Sequence, residues 1–294
     1  MNGEVIAVDW GTTNRRAYRL AADGGVLATV CDDRGILSLA PADYPAAVAA
    51  LRARLGEAPL LIAGMAGSTR GWREIPYVDA PADLAALAGG VIHVARDVAI
   101  VPGVALRGPR HDVMRGEEVQ ALGAIAAGLA PRDALFCQPG THDKWITVAD
   151  ARIHRFATAM TGELFALLRT HGILSGMLDA PVVDGAAFRD GVARGAGATD
   201  LLDAMFEVRA RVLLGTLAPG DAASFASGVL IGADVGARGD LAGGTVHLLA
   251  TGALAALYTA AIALRGGRVV AIDSAAAFTA GIHALHALLP GETA

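Results

Sequence analysis

The sequence is almost without lysine. Lys144 stands alone beside 23 arginines in 294 residues. A compact, mobile ammonium and a planar guanidinium fork are not interchangeable, so its setting in a glycine-threonine loop, PGTHDKW (Pro139–Trp145), suggests a loop that handles an anion. A solvated charge on a strand edge is the alternative. Cysteine is nearly as scarce: Cys31 and Cys137 lie far apart without metal-ligand spacing, and their apolar, strand-like surroundings mark both as reduced core residues. A formal net charge of −5 argues against non-specific nucleic-acid binding, which needs a basic surface. No basic region followed by an apolar stretch opens the chain, so the cytoplasm is the expected location. The run Val246–Leu264 is uncharged and long enough to span a bilayer. It contains His247, Thr251, Gly252, Tyr258 and Thr259, however, and reads as a buried strand followed by an alanine-rich helix. The motifs G-x-x-x-x-G-K-[ST], G-x-G-x-x-G after the first strand, G-x-S-x-G and H-E-x-x-H are all missing, as is any paired C-x-x-C. Their absence removes the P-loop and weakens the dinucleotide fold.

What is present is 54% hydrophobic residues and 37 glycines, the composition of an α/β protein with small-residue packing and many tight turns. The chain can form one large domain or two ordinary ones. Three strands are expected over residues 4–10, 15–21 and 24–30, then a helix over 44–55 and a buried strand over 59–64. A strand at 98–103 and a helix at 116–127 close the first half. Near Pro131 the pattern restarts with a strand (134–140), a strand pair around Asp150 and helices over 162–171, 199–214 and 221–237. A strand (245–250), a helix (252–264), a strand (268–272) and a last helix (275–288) follow. Both halves thus show a strand, a glycine-threonine loop, a strand pair, then helices and strands. This grammar predicts two α/β domains, residues 1–130 and 131–294, facing one another across a cleft.

DWGTTN (Asp9–Asn14) follows the first buried strand. Asp9 would stand at the strand end, Gly11 would let backbone approach a ligand, and Thr12 and Thr13 offer hydroxyl and amide donors. These parts suit the terminal phosphates of a nucleotide and their Mg2+. An ordinary polar turn uses the same residue types. PGTHDKW repeats this chemistry in the second half, and the pair is more specific than either loop.

Together, VDWGTTN, GMAGSTRGW with PY behind it, VPGV, DVMRGEEVQ, PGTHDKW, FATAMTGELFALL and the terminal FTAGI resemble the 2-keto-3-deoxygalactonate kinase family. They run in that order from about residue 5 to 283. That family lies within the sugar-kinase, Hsp70 and actin ATPase superfamily. The resemblance implies two ribonuclease-H-like domains and transfer of the ATP γ-phosphate to the 6-hydroxyl of a sugar acid, with ATP and Mg2+ as cofactors. It leaves open a kinase for another sugar acid, or an ATP-regulated binding protein without sugar chemistry. A homodimer is compatible with it, and neither nucleic acid nor membrane is an expected partner.

Carried onto this sequence, the resemblance implies that Asp9 organises the metal and that Gly11, Thr12, Thr13, Gly140 and Thr141 cradle phosphates. Thr251 and Gly252 would mark the adenosine segment. Glu117 is the first choice for the base that takes the hydroxyl proton, Glu118 the second and Asp143 the rival. Two carboxylates in a helix's first turn also serve merely to complement its dipole. Asp143 stands where the family has serine or cysteine, and Arg15 where it has an apolar residue. Arg16, Arg70 and Arg115 are the candidates for the substrate carboxylate. Asn14, Ser68, Trp72 and Glu163 are further substrate contacts, and Lys144 would add charge near the transferred phosphoryl group.

Overall fold

The computed structural model describes residues 3–197 and 199–290. In the first half, β1 (Val5–Trp10), β2 (Arg15–Leu20) and β3 (Val26–Asp32) form an antiparallel meander, followed by α1 (Tyr44–Leu55) and β4 (Leu60–Gly64). Then come β5 (Val78–Asp79), α2 (Leu84–Gly89), β6 (Ile92–Ala95), β7 (Val98–Ile100), β8 (Val104–Leu106), β9 (Asp112–Met114) and α3 (Glu117–Ala126). The main sheet has the order β3-β2-β1-β4-β7-β6, with β1, β4 and β7 parallel. β1 reads VIAVDW and β4 LLIAG because both are central and apolar nearly throughout. Trp10, Tyr44, Leu51, Ile62 and Ile100 belong to one core packed against this sheet. α1 starts with a proline in its first turn, carries Arg52 and Arg54 in its last, and stops at Gly56 with φ +87°, the expected signals at both ends.

The second half continues with β10 (Ala134–Gln138), β11 (Asp143–Ala149), β12 (Arg152–Ala159), α4 (Thr161–Thr170), α5 (Ala186–Ala196), α6 (Leu201–Leu213) and α7 (Ala222–Gly236). β13 (Thr245–Leu249), α8 (Gly252–Leu264), β14 (Arg268–Ile272) and α9 (Ser274–Leu288) complete it. Its sheet has the order β12-β11-β10-β13-β14, with β10, β13 and β14 parallel. The uncharged run at 246–264 is split between β13 and α8, and among the described residues no helix is long and apolar enough to cross a membrane.

Chain contacts divide the molecule into two compact units. One takes the chain through Ala134, then Ile146–Ala157 and the segment from Asp273 onward; the other takes Leu135–Trp145 and Thr158–Ile272. A single cut near residue 130 therefore follows the contacts only in part, because Ile146–Ala157 and α9 both belong with the first unit. For α9 the reason is backbone-to-backbone packing on α3. A Cβ added at Gly123 would lie 2.1 Å from the Ala277 carbonyl oxygen, and one at Gly281 2.2 Å from that of Val119. α5 and α7 meet in the same way. A Cβ at Gly191 would sit 2.2 Å from the Phe225 oxygen, and one at Gly228 2.2 Å from that of Phe188. α5 carries no clear sequence signal, because glycines lower helix propensity; here they are its contact surface.

Cys137 is buried as expected, but Cys31 is exposed. β3 is the sheet edge, where alternate side chains face solvent, so the apolar run did not make Cys31 a core residue. Arg15 is buried and explains its own departure from an apolar pattern. Its Nε and Nη2 donate to the two carboxylate oxygens of Asp32 at 3.1 and 2.7 Å, and its guanidinium lies 4.9 Å from the Trp10 ring centre.

Candidate active site

In the first unit, Asp9 sits at the C-terminal end of β1, opposite Arg16 on β2 and Ala63 on β4. α3 reaches this edge because two glycines face each other. Gly64, at φ +96°, has no room for a Cβ against the Trp10 carbonyl oxygen, and a Cβ at Gly116 would lie 3.2 Å from Gly64 Cα. That approach brings the first turn of α3 near the strand end. Burial pushes the Asp9 carboxyl up to about 6; Arg16, with Nη1 at 3.6 Å, opposes the rise, and the nearby charge of Glu117 adds to it.

The two glutamates of that turn differ. Glu117 is half-buried, and its Oε2 accepts from the Arg115 amide at 3.0 Å. Glu118 is fully buried, and both its oxygens accept from the Gly116 amide at 2.8 Å. Burial first, and then Glu117, push the Glu118 carboxyl up to about 8, so it is a neutral, structural acid at pH 7. Glu117 remains the accessible carboxylate beside Asp9. Among the described residues no group of three or more His, Cys, Asp or Glu could hold a metal ion.

The Asp9–Asn14 loop is clasped from behind. The carbonyls of Gly11, Thr12 and Thr13 accept from the amides of Ile36, Leu37 and Gly35 at 3.0–3.2 Å. A Cβ at Gly35 would sit 2.3 Å from the Thr12 oxygen, so the clasp requires glycine. Thr12, Thr13 and Asn14 are exposed, with Asn14 Nδ2 donating to Thr13 Oγ1 at 3.1 Å.

The other expected substrate residues divide by what they touch. Ser68 is buried; it donates to the Met65 carbonyl at 2.7 Å and accepts from the Arg70 amide, which shapes the loop. Trp72 stacks on Tyr44 with centroids 5.2 Å apart, so its ring serves the core. Arg16 and Arg70 are exposed. Arg115 is buried, donates from Nη2 to the Ile75 carbonyl at 2.8 Å and covers the Tyr77 ring at 4.3 Å. Its Nε and Nη1 are also buried and have no hydrogen-bond partner among the described residues. Such donors are costly to leave unmet.

The second unit builds its loop around Asp143. That residue is 1% exposed. Its Oδ1 accepts from the Gly140 amide at 2.5 Å, and its Oδ2 is bonded to the Tyr258 hydroxyl. Burial raises its carboxyl to about 6, with Asp234 adding to the rise. With both oxygens engaged and no solvent access, Asp143 supports the loop. Gly162, early in α4, lies so close that a Cβ would come 2.2 Å from the Gly140 oxygen. The Glu163 amide donates to the Thr141 carbonyl at 3.0 Å, and Glu163 Oε2 pairs with His142 Nε2 at 2.6 Å. Glu163 thus belongs to the loop of the second unit. Thr251 and Gly252 are exposed at the start of α8, with Gly252 at φ +71°.

Lys144 is 5% exposed on β11, so it is neither a solvated edge charge nor a mobile one. Lys144→Arg, which keeps the charge but enlarges a packed side chain, is expected to cost about 1–3 kcal/mol. An unchanged urea midpoint would refute that. Sequence reasoning missed Tyr258 and Asp234 altogether. The one available signal was that Asp234 is the only charged residue in α7.

A model of the 2-keto-3-deoxy-galactonokinase family matches residues 9–285. The chain belongs to this family. The "Probable 2-dehydro-3-deoxygalactonokinase DgoK1" of Rhizobium meliloti (strain 1021) is 42% identical over 96% of each chain. The 2-dehydro-3-deoxygalactonokinase of Escherichia coli (strain K12) is 36% identical over 97% of this chain and 98% of its own. A crystal structure from Sinorhizobium meliloti, of a protein provisionally assigned the same activity, has a TM-score of 0.88 at 38% identity and covers 96% of this chain. An ADPNP-bound dehydratase activator from Clostridium difficile, 11% identical with a TM-score of 0.53, shares the fold alone. The fold expected from the sequence, α/β of the sugar-kinase and actin-like ATPase class, is thus the one observed. The matched span of the galactonokinase family takes in both glycine-threonine loops, α3 and most of α9.

Proposed function

We propose that this kinase transfers the γ-phosphoryl group of ATP to the 6-hydroxyl of 2-dehydro-3-deoxy-D-galactonate. The observation that carries the reading is the approach of α3 to the end of β1, which sets the Glu117 carboxylate beside Asp9 in a chain matched to the family almost end to end. In the reaction the substrate oxygen bonds to the γ-phosphorus as the bond to the β-phosphate oxygen breaks, ADP leaves, and the hydroxyl proton passes to Glu117. Asp9 takes the role of metal carboxylate. Mg2+ would neutralise charge on the phosphates, and the backbone and hydroxyl donors of Gly11, Thr12, Thr13, Gly140 and Thr141 fit the rest of that task. Thr251 and Gly252, open at the start of α8, suit the adenosine.

Arg115 is the best-supported partner for the substrate carboxylate, because two of its buried donors are unspent. Arg16 and Arg70 supply accessible charge, and Asn14 an exposed amide. Ser68 and Trp72 act through the shape of their loop. Cytoplasmic ATP is the phosphoryl source in this reading. A homodimer would cover the stripe Leu202, Phe206 and Leu213, which α6 exposes.

ADP release coupled to NADH oxidation, measured across a panel of 2-keto-3-deoxy sugar acids, tests the proposal. Turnover is expected with the galacto epimer at the highest kcat/KM. Faster turnover with another panel member would reassign the substrate, and ATP hydrolysis indifferent to all of them would remove the sugar chemistry.

A further inference from the structure

The second unit contains a buried polar cluster that phosphoryl transfer does not use directly. Tyr258 lies on α8, two turns beyond Gly252, and is 1% exposed. Its hydroxyl is bonded to Asp143 Oδ2 on β11 and, at 3.0 Å, to Asp234 Oδ2 on α7. Asp143 Oδ1 in turn accepts from the Gly140 amide at 2.5 Å. Asp234 Oδ1 accepts from Trp145 Nε1 at 3.1 Å and lies 3.4 Å from Arg238 Nη2. Every oxygen of the two carboxyls is engaged, and all three elements converge on one hydroxyl.

A phenol has a single hydrogen to donate. Two carboxyl oxygens contact the same phenol, so only one contact can be a bond donated by Tyr258. The other needs a proton on a carboxyl. Burial raises both Asp143 and Asp234; the charge of Asp234 adds to the rise at Asp143, whereas the contact with Asp143 holds Asp234 down, and burial also keeps the Tyr258 hydroxyl protonated. Arg238 and the Trp145 N–H favour the charged form of Asp234. The Gly140 amide and Thr161 favour the charged form of Asp143 in the same way, so the two carboxyls share one proton through the phenol.

We propose that Tyr258 is a positioning residue for nucleotide binding, a pin that ties the Gly140 peptide of the second phosphate loop to α8 through Asp143 and Asp234. The inference rests on the assignment of Gly140–Thr141 and Thr251–Gly252 to the nucleotide. One hydroxyl then links the helix that opens at the adenosine segment to the loop that faces the phosphates. Asp143 acts through Gly140 and takes no proton from substrate. The cavity of about 80 Å³ bounded by Gly140, Asp143, Thr161, Gly162 and Tyr258 is the room into which the loop would relax without the pin.

Tyr258→Phe keeps the ring and removes the hydroxyl. It is expected to raise the KM for ATP about tenfold or more, a size set by two lost buried hydrogen bonds, with the KM for the sugar acid changed by less than about twofold. Asp143→Asn imitates the protonated acid. Its oxygen can still accept from Gly140 and its amide can donate to Tyr258, so near-parental ATP kinetics are expected. Asp143→Ala should behave like Tyr258→Phe. Circular dichroism and thermal melts establish that each variant is folded, and calorimetric binding of ATP without substrate gives a second readout.

A folded Tyr258→Phe with unchanged ATP affinity overturns the proposal. So does an Asp143→Asn that loses turnover while binding ATP, since Asp143 would then be the base. Parental protein that binds ATP but phosphorylates no sugar acid would sink the substrate assignment alone, and the binding arm would still decide on Tyr258. Parental protein that binds no ATP would overturn both.

Discussion

Glu117→Gln is expected to lower kcat by about 10²–10⁴-fold, the usual contribution of a positioned general base, while ATP affinity changes by less than about threefold. Glutamine keeps the size of the side chain and can still accept from the Arg115 amide, as Glu117 Oε2 does at 3.0 Å, so the first turn of α3 should stay formed. What goes is the capacity to take a proton. Glu118→Gln should leave far more activity, because its buried carboxyl is held neutral and an amide is a fair substitute for it. Single-turnover kinetics with saturating ATP separate the two. Equal losses in both variants would show that the turn's architecture, and not the Glu117 carboxylate, carries the effect.

Gly281→Val should be among the most damaging single changes in the first unit. Alanine in place of a helical glycine ordinarily gains up to about 1 kcal/mol. Here even a methyl would sit 2.2 Å from the Val119 carbonyl oxygen. A carbonyl fixed in α3 cannot swing away as a flexible side chain could, so the helices must separate. A valine is expected to cost about 3 kcal/mol or more. It should also lower turnover, because α3 carries Glu117. Gly89→Ala is the matched control. An added methyl meets nothing within 4 Å there, and neutral to slightly stabilising behaviour is expected. Chemical denaturation of the three proteins measures this; equal midpoints for Gly281→Val and the parent would show that α3 and α9 can part without cost.

Local pattern carried the reading of the elements well. α1, α8 and β14 lie where their apolar spacing and flanking glycines place them, since those signals act over a few residues. The two glycine-threonine loops were legible as loops for a similar reason: a strand end followed by Gly and Thr is a local feature. Contacts between distant residues were not. Asp143 and Tyr258 are 115 residues apart and Trp145 and Asp234 are 89 apart, and no periodicity links them. The burial of Asp143 comes from three separate elements. Arg15 looked out of place until Asp32 and Trp10 were beside it. Lys144, the rarest residue, reads from the sequence as part of a loop, but the structure places it on β11, buried beside the aspartate that holds that loop.

The return of α9 to the first unit bears on how the protein is made. A ribosome releases the chain from its N-terminus, and domains commonly fold as they emerge. The second unit is complete once Ile272 has emerged, whereas the first must wait for Asp273 and the helix beyond it. Until then the nascent α3 shows its glycine face, with Val119, to solvent and chaperones. Messages truncated before codon 273 would therefore yield a finished second unit attached to an unfinished first one, a product open to proteolysis at the helix that bears Glu117.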